Sequence, residues 1–377
     1  MNLAGLYIHV PFCTSICPYC DFAVTIAGAD RRSGYLDALG REIAMARTHD
    51  LRFDTVYLGG GTPSSLRPGE LERILSTISD HLGLAPDTTL HLEINPDDVS
   101  PETAAAWREL GFSFASLGVQ SFDDDALGFL GRAHDAASAR RAAEALLDAG
   151  FPTVSVDLIF GLPEQTADDW RRQLETAVAA GVQHLSCYQL TIHGGTVFGN
   201  RRDRGELAEL GDDDQAELSL LTHEILGAEG WRGYEVSNFA ASPGHRSKHN
   251  QKYWNHTPYI GLGPSAHSFS GRRRWWNERK VRLWTAALTG GRSPIEGDEE
   301  LTDAELFFEA VMLGLRTAEG IDRDALRLRF GTEIARLDEP AVDRLAGDGY
   351  LRCDGPRIQP TPKGLAVAEG LVRTLLP

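Results

Sequence analysis

Cysteine is scarce in this chain, five in 377 residues, and methionine is scarcer still at three. An odd cysteine count with no secretory signal argues against a disulfide-stapled secreted fold and points to a reducing compartment. Long apolar runs are missing as well: none approaches the ~20 residues that cross a bilayer. The chain opens on a strand-like Leu6-Tyr-Ile-His-Val10, which leaves no room for a targeting peptide, so a cytoplasmic protein is expected. Positive charge is in short supply: 37 Lys and Arg face 54 Asp and Glu, a formal net charge of -17. That balance disfavours broad contact with nucleic acid, and none is expected as a partner. What remains is ordinary, a 42% hydrophobic chain long enough for one large domain and a smaller one.

The few cysteines are concentrated. Cys13, Cys17 and Cys20 fall within eight residues, in Pro11-Phe-Cys-Thr-Ser-Ile-Cys-Pro-Tyr-Cys-Asp-Phe22. Three clustered thiolates suit an iron-sulfur cluster, and a four-iron cluster with only three protein ligands keeps one iron open to an exchangeable ligand. Zinc is the competing reading, but it wants a fourth tight ligand and the nearest histidine, His9, lies beyond a proline. Cys187 and Cys353 have no partners at ligand spacing and read as structural.

Along the first 190 residues, short β-branched runs alternate with amphipathic helical stretches. Strands are predicted near Leu6 to Val10, Thr55 to Leu58, Thr89 to Ile94, Phe114 to Leu117, Val154 to Phe160 and Leu185 to Leu190. Such βα repetition builds a parallel sheet with right-handed crossovers, and six strands make a partial (β/α)6 barrel in an α/β fold. Barrel geometry places function at the C-terminal ends of the strands. There the sequence puts the cysteine loop, Gly59-Gly-Gly-Thr-Pro63, Glu93, Gln120 and Asp157. Gly60 and Gly61 fit a close backbone approach to a ligand as well as a tight turn. Glu93, Gln120, Arg132 and Asp157 taken singly are equally readable as structural polar groups.

Cys-x3-Cys-x2-Cys with an aromatic residue, Tyr19, before the last cysteine resembles the cluster loop of radical S-adenosylmethionine enzymes. In that superfamily the methionine moiety chelates the open iron, and reduction cleaves the sulfonium to a 5'-deoxyadenosyl radical. Leu92-Glu-Ile-Asn-Pro96, Leu117-Gly-Val-Gln-Ser-Phe122, Leu130-Gly-Arg132 and Asp157-Leu-Ile-Phe-Gly-Leu-Pro163 resemble the coproporphyrinogen oxidase-like branch. The likeness implies cofactor contacts at Tyr7, Tyr19, Gly60, Gly61, Thr62, Glu93, Gln120, Arg132 and Asp157. Within that branch, oxygen-independent coproporphyrinogen III oxidase has a fourth cysteine where this chain has Phe22, and a long extension before its cluster; here Cys13 is nearly at the start. An oxidase, or another radical enzyme acting on a porphyrin-like substrate, remains the alternative.

His249-Asn-Gln-Lys-Tyr-Trp254 is similar to the His-Asn-x-x-Tyr-Trp motif of the HemW family of heme chaperones. The resemblance implies heme contact by His249, Asn250, Tyr253 and Trp254, and transfer of heme to acceptor proteins, membrane respiratory enzymes among them. An electron donor for the cluster is implied too, and a homodimer is left open. From the residues alone, His249 reads as a hydrogen-bonded histidine and its neighbours as core or rim aromatics; His245, His256 and His267 are alternative iron ligands. The segments expected are a radical core over 1–238, a loop-rich extension with the heme motif over 239–300, lying over the barrel mouth, and a winged-helix-like α-rich domain over 301–377. Arg272-Arg-Arg-Trp-Trp276 reads as a solvated turn or a patch for propionates, anionic lipid or a partner.

Overall fold

A computed structural model describes residues 2–26, 28–46 and 51–376. Its first six strands are β1 (Asn2–Val10), β2 (Leu51–Gly60), β3 (Leu84–Ile94), β4 (Phe112–Gln120), β5 (Thr153–Phe160) and β6 (His184–Gln189). They pair in sequence order, each parallel to the next, with a helix in every crossover. The predicted partial barrel is the fold.

These strands are buried on both faces, but the faces differ in chemistry. Leu6, Ile8, Val56, Leu58, Leu92, Leu117, Val156 and Leu185 point outward beneath the helices and belong to the main hydrophobic core. The alternate positions point inward and are polar or aromatic: Tyr7, Thr55, Tyr57, His91, Glu93, Ser116, Ser155, Asp157 and His184. An apolar face toward the helices drives closure, while period-two alternation loads the interior with groups able to do chemistry.

Beyond β6 come β7 (Arg232–Gly233), β8 (Asn238–Ala240), β9 (Tyr259–Leu262), β10 (His267–Ser270), β11 (Arg273–Asn277) and β12 (Ile295–Glu300). β9 pairs parallel with β1, a seventh parallel strand that sequence reasoning did not foresee, and β10 to β12 continue the sheet antiparallel. Instead of an extended loop over the mouth, then, residues 259–277 extend the sheet, and the Gly, Ser and Asn signals mark tight turns such as Gly263 and Gly271, both at positive φ. The segment is locked to the barrel by Glu42, a buried carboxylate that accepts hydrogen bonds from Asn277, Trp284 and the Gly263 N–H.

From Asp303 onward five helices surround a three-stranded antiparallel sheet of β13 (Ile321–Asp322), β14 (Leu351–Asp354) and β15 (Arg357–Pro360). This unit has its own core, in which Phe269 of β10 is included. Among the described residues, no helix is long and apolar enough to cross a membrane.

Candidate functional site

At the C-terminal ends of the strands a cavity of about 480 Å³ opens. Cys13, Cys17, Tyr19, Cys20, Gly60, Gly61, Thr62, Glu93, Gln120, Arg132 and Asp157 all line it.

The cysteine loop is pinned at both ends. Cys13 N–H donates to Thr25 O at 3.2 Å and Thr25 N–H to Pro11 O at 2.7 Å, while Cys20 N–H closes a turn on Cys17 O at 3.1 Å. Two thiols already have donors aimed at them: Thr62 Oγ1 lies 3.5 Å from Cys13 Sγ, and Arg132 Nη1 lies 3.4 Å from Cys17 Sγ. Burial pushes the Cys13 and Cys20 thiols up, so a cation or metal is needed to hold these groups as thiolates. Among the described residues, no three His, Cys, Asp or Glu converge on one point as ligands of a single ion. Half-buried Arg132 also bonds Asn95 and, at 3.0 Å, Gly118 O; its buried Nε has no partner. An unsatisfied buried donor beside thiols fits an anionic group seated there.

The three glycines are required by close packing. A Cβ on Gly59 would lie 2.8 Å from Glu93 Oε1, one on Gly60 2.5 Å from the His9 ring, and one on Gly61 2.8 Å from Phe12 O. Gly60 also has φ +110°, open to glycine alone at little cost. With Gly59 bare, Glu93 reaches the loop, accepting from Gly60 N–H and Tyr57 OH, each at 2.9 Å. Glu93 faces the cavity and not bulk water; burial pushes it up to about 7 despite these two bonds. Asp157 is likewise pushed up to about 6 by burial, against hydrogen bonds from serines that include Ser116 Oγ at 3.0 Å. Gln120 sits at φ +69°, where the register of β4 against β5 slips between Leu117 and Gln120. A bulge of this kind re-aims a side chain, here into the cavity.

The remaining predicted residues lie elsewhere. Tyr7 is one layer down, its ring against Tyr57 with centroids 6.1 Å apart and its OH 3.2 Å from His9 Nδ1. His249 is fully buried near the N-terminal ends of β1 and β2, its Nδ1 2.8 Å from Thr55 Oγ1 and its Nε2 2.8 Å from Tyr253 OH. Both ring nitrogens are therefore used, and burial holds the imidazole well below its ordinary pKa, neutral. Asn250 N–H is capped by Ser247 Oγ at 3.3 Å; Tyr253 packs edge-on to Tyr259 and Trp254 edge-on to Tyr234. Of the alternative ligands, His245 bonds Thr153, His256 pairs with Glu309, and His267 is exposed beside Trp276. Arg272, Arg273 and Arg274 pair with Asp303, Asp298, and Glu299 with Glu309, leaving no free basic patch in that run.

Sequence reasoning missed Tyr57, Asn95, Ser116, Tyr188 and His193 as cavity residues. Alternation was the available signal: Tyr57 lies two residues before Gly59 and Ser116 two before Gly118, on the same inward face.

Comparison with known proteins agrees with this geometry. Residues 7–177 match the family described as the Radical SAM superfamily and residues 301–367 the HemN C-terminal domain. "Heme chaperone HemW" of Mycobacterium tuberculosis (strain ATCC 25618 / H37Rv) is 38% identical over 99% of this chain and 94% of its own. The protein of the same name from Bacillus subtilis (strain 168) is 33% identical over 96% of each. Among solved structures, the coproporphyrinogen III oxidase HemN from Escherichia coli superposes with a TM-score of 0.83 at 21% identity, over 99% of this chain and 89% of that one, a likeness of fold. On its sequence relatives over nearly its whole length, the chain belongs to the HemW family within the radical SAM superfamily.

Proposed function

We propose that this protein is a heme chaperone that carries a 4Fe-4S cluster and S-adenosylmethionine in the barrel cavity, binds heme, and passes it to acceptor proteins. The observation that carries the reading is the near full-length similarity to relatives named heme chaperones. In supplying the cavity, Cys13, Cys17 and Cys20 would hold three irons of the cluster, and Gly60, Gly61, Thr62 and Glu93 would take the methionine end of the cofactor. The ionised form of Glu93 suits an α-ammonium group, which would lower its pKa again on binding. Gln120, Arg132 and Asp157, facing the same space, would bear on the remaining polar groups. The cluster and cofactor, when bound, supply one-electron chemistry; the chain supplies position, charge balance and exclusion of water.

Both ring nitrogens of His249 are engaged, by Thr55 and by Tyr253, so ligation of heme iron there would require one of these hydrogen bonds to be given up. Phe22, exposed where the oxidase pattern has its fourth cysteine, adds an apolar side chain to the lining of the cavity. The test is delivery: heme-loaded protein is mixed with an apo-heme acceptor, and the acceptor's own Soret band is followed against free heme. Faster or more complete loading than with free heme supports the chaperone. Loading no better than free heme, together with decarboxylation of coproporphyrinogen III, would replace it with the oxidase.

A further inference from the structure

The His249-Asn-Gln-Lys-Tyr-Trp254 segment forms the helix Lys248–Trp254, whose N-terminal Ser247 hydroxyl accepts from Asn250 N–H. It does not sit at the cavity mouth. It packs against the N-terminal halves of β1 and β2, so closely that a Cβ on Gly5 would lie 3.0 Å from His249 Cε1. Lys252 and Asp54 fix the helix with a mostly buried ion pair at 2.7 Å.

From His249 a continuous column leads up to the cavity. Thr55 and Tyr253 clamp the imidazole from its two nitrogens. Its flat face lies against the Tyr57 ring, with centroids 5.1 Å apart and planes 30° from parallel. Tyr7 covers Tyr57 with planes 28° from parallel, and His91 stands 5.6 Å away. Held on several sides, Tyr57 points its hydroxyl at Glu93, to which it donates at 2.9 Å. Glu93 has one other donor, Gly60 N–H, so about half of its fixed hydrogen bonding depends on where Tyr57 stands. A buried carboxylate is sensitive to the loss of a single donor.

We propose that His249 is a positioning residue for the S-adenosylmethionine site: it orients Tyr57 and, through Tyr57, Glu93. This rests on the reading that the cavity takes that cofactor. The motif then acts as the floor beneath the cofactor, with its imidazole a packed, hydrogen-bonded ring in place of an iron ligand.

The test uses the full-length protein, reconstituted anaerobically, with two readouts: the S-adenosylmethionine-dependent change in the EPR signal of the reduced cluster, titrated to a Kd, and the Soret titration with heme. Tyr57→Phe, which removes only the hydroxyl, should weaken S-adenosylmethionine about tenfold, the scale of a hydrogen bond to a charged group. His249→Ala should weaken it by a similar factor, and the double variant by clearly less than the product, because both changes break one column. His249→Phe keeps a ring against Tyr57 but has no nitrogen for iron, so it should retain most of the cofactor affinity. All variants should bind heme as wild type does. Wild-type cofactor affinity in Tyr57→Phe would overturn the proposal. So would loss of the heme Soret band in His249→Phe with the cluster signal intact, since that is the mark of an iron ligand. Should His249→Ala not fold, Tyr57→Phe and His249→Phe still decide. If the wild-type cluster signal does not respond to S-adenosylmethionine at all, it is the reading of the cavity that fails.

Discussion

The two ends of the barrel interior are built from the same alternation yet end in opposite states. At the C-terminal end, thiols, carboxylates and a guanidinium face an open cavity, and Arg132 keeps an unused donor. At the N-terminal end, His249, Phe114, His184 and Tyr234 fill the space with stacked and edge-on rings, and His249 and His184 use both ring nitrogens within the protein. A side chain's chemistry does not decide whether it is a ligand. An imidazole with both nitrogens hydrogen-bonded is held as a packing group, whereas three thiols that line an open cavity remain accessible to a ligand.

The comparison breaks most sharply at the cysteines. Replacing Cys13, Cys17 or Cys20 by Ala should abolish the visible absorbance of the reconstituted cluster, while Cys187→Ala and Cys353→Ala should leave it. Cys187 is buried under the helices and Cys353 is exposed on β14, both far in sequence from the loop. An intact cluster in Cys17→Ala would show that the cavity is not the ligand set described.

Next in size is the pH dependence of cofactor affinity. With Glu93 near 7, protonation removes the charge that would face an ammonium group, so S-adenosylmethionine binding should weaken as pH falls below 7. The ionised fraction drops about tenfold by one pH unit below the pKa. Glu93→Gln should bind weakly at every pH and lose this dependence; an unchanged profile in that variant would assign the titration to another group.

Gly60→Ala sharpens the contrast in packing. Strain at φ +110° and the collision with His9 together should destabilise the fold by about 1–3 kcal/mol in denaturant titration. Gly150→Ala is the control: it has φ +77° but nothing within 4 Å of its Cβ, so its loss should be smaller.

The floor makes its own prediction in acid. Burial lowers His91 and His184 from 6.5 to about 3. Between those values the unfolded chain binds protons that the folded chain refuses, so stability falls as pH falls, by at most about 1.4 kcal/mol per pH unit for each group. Glu93 acts in the opposite sense: its folded pKa of about 7 stands above the ordinary 4.5, so its contribution favours the folded state as pH falls through 7 and levels off below 4.5. Acid unfolding should therefore steepen below pH ~4.5, where the imidazoles still drive it and Glu93 no longer opposes it. His184→Gln should flatten the slope. The smallest effect is expected on the surface, where Arg273→Ala should change stability by no more than about 0.5 kcal/mol, because its pair with Asp298 is about half exposed on both sides.

Much of the upper end was legible in the sequence because chemistry there is concentrated at strand ends that the βα rhythm locates. Three cysteines at fixed spacing, a glycine triplet at the end of β2, a carboxylate near the end of β3 and another within β5 all reach the mouth where a barrel gathers its loops. Tyr57 was missed because one aromatic in a strand carries no signal until its neighbours are known. The lower end was legible only in part: residue type alone gave a hydrogen-bonded His249 among packed aromatics, as the structure has it, but not its partners. His249 looks the same in sequence whether it faces heme or lies beneath Tyr57, and only the hydrogen bonds of Thr55, nearly two hundred residues away, separate the two. The seventh parallel strand escaped for a related reason: β9 is four residues long, and its pairing with β1 depends on a contact remote in sequence.

The most direct test of the cavity's role is iron and sulfide analysis of the anaerobically reconstituted protein, with EPR of the reduced cluster before and after S-adenosylmethionine. About four irons per chain are expected, with a signal that shifts when the cofactor is added. Bound zinc in place of iron, or a four-iron signal indifferent to S-adenosylmethionine, would contradict it.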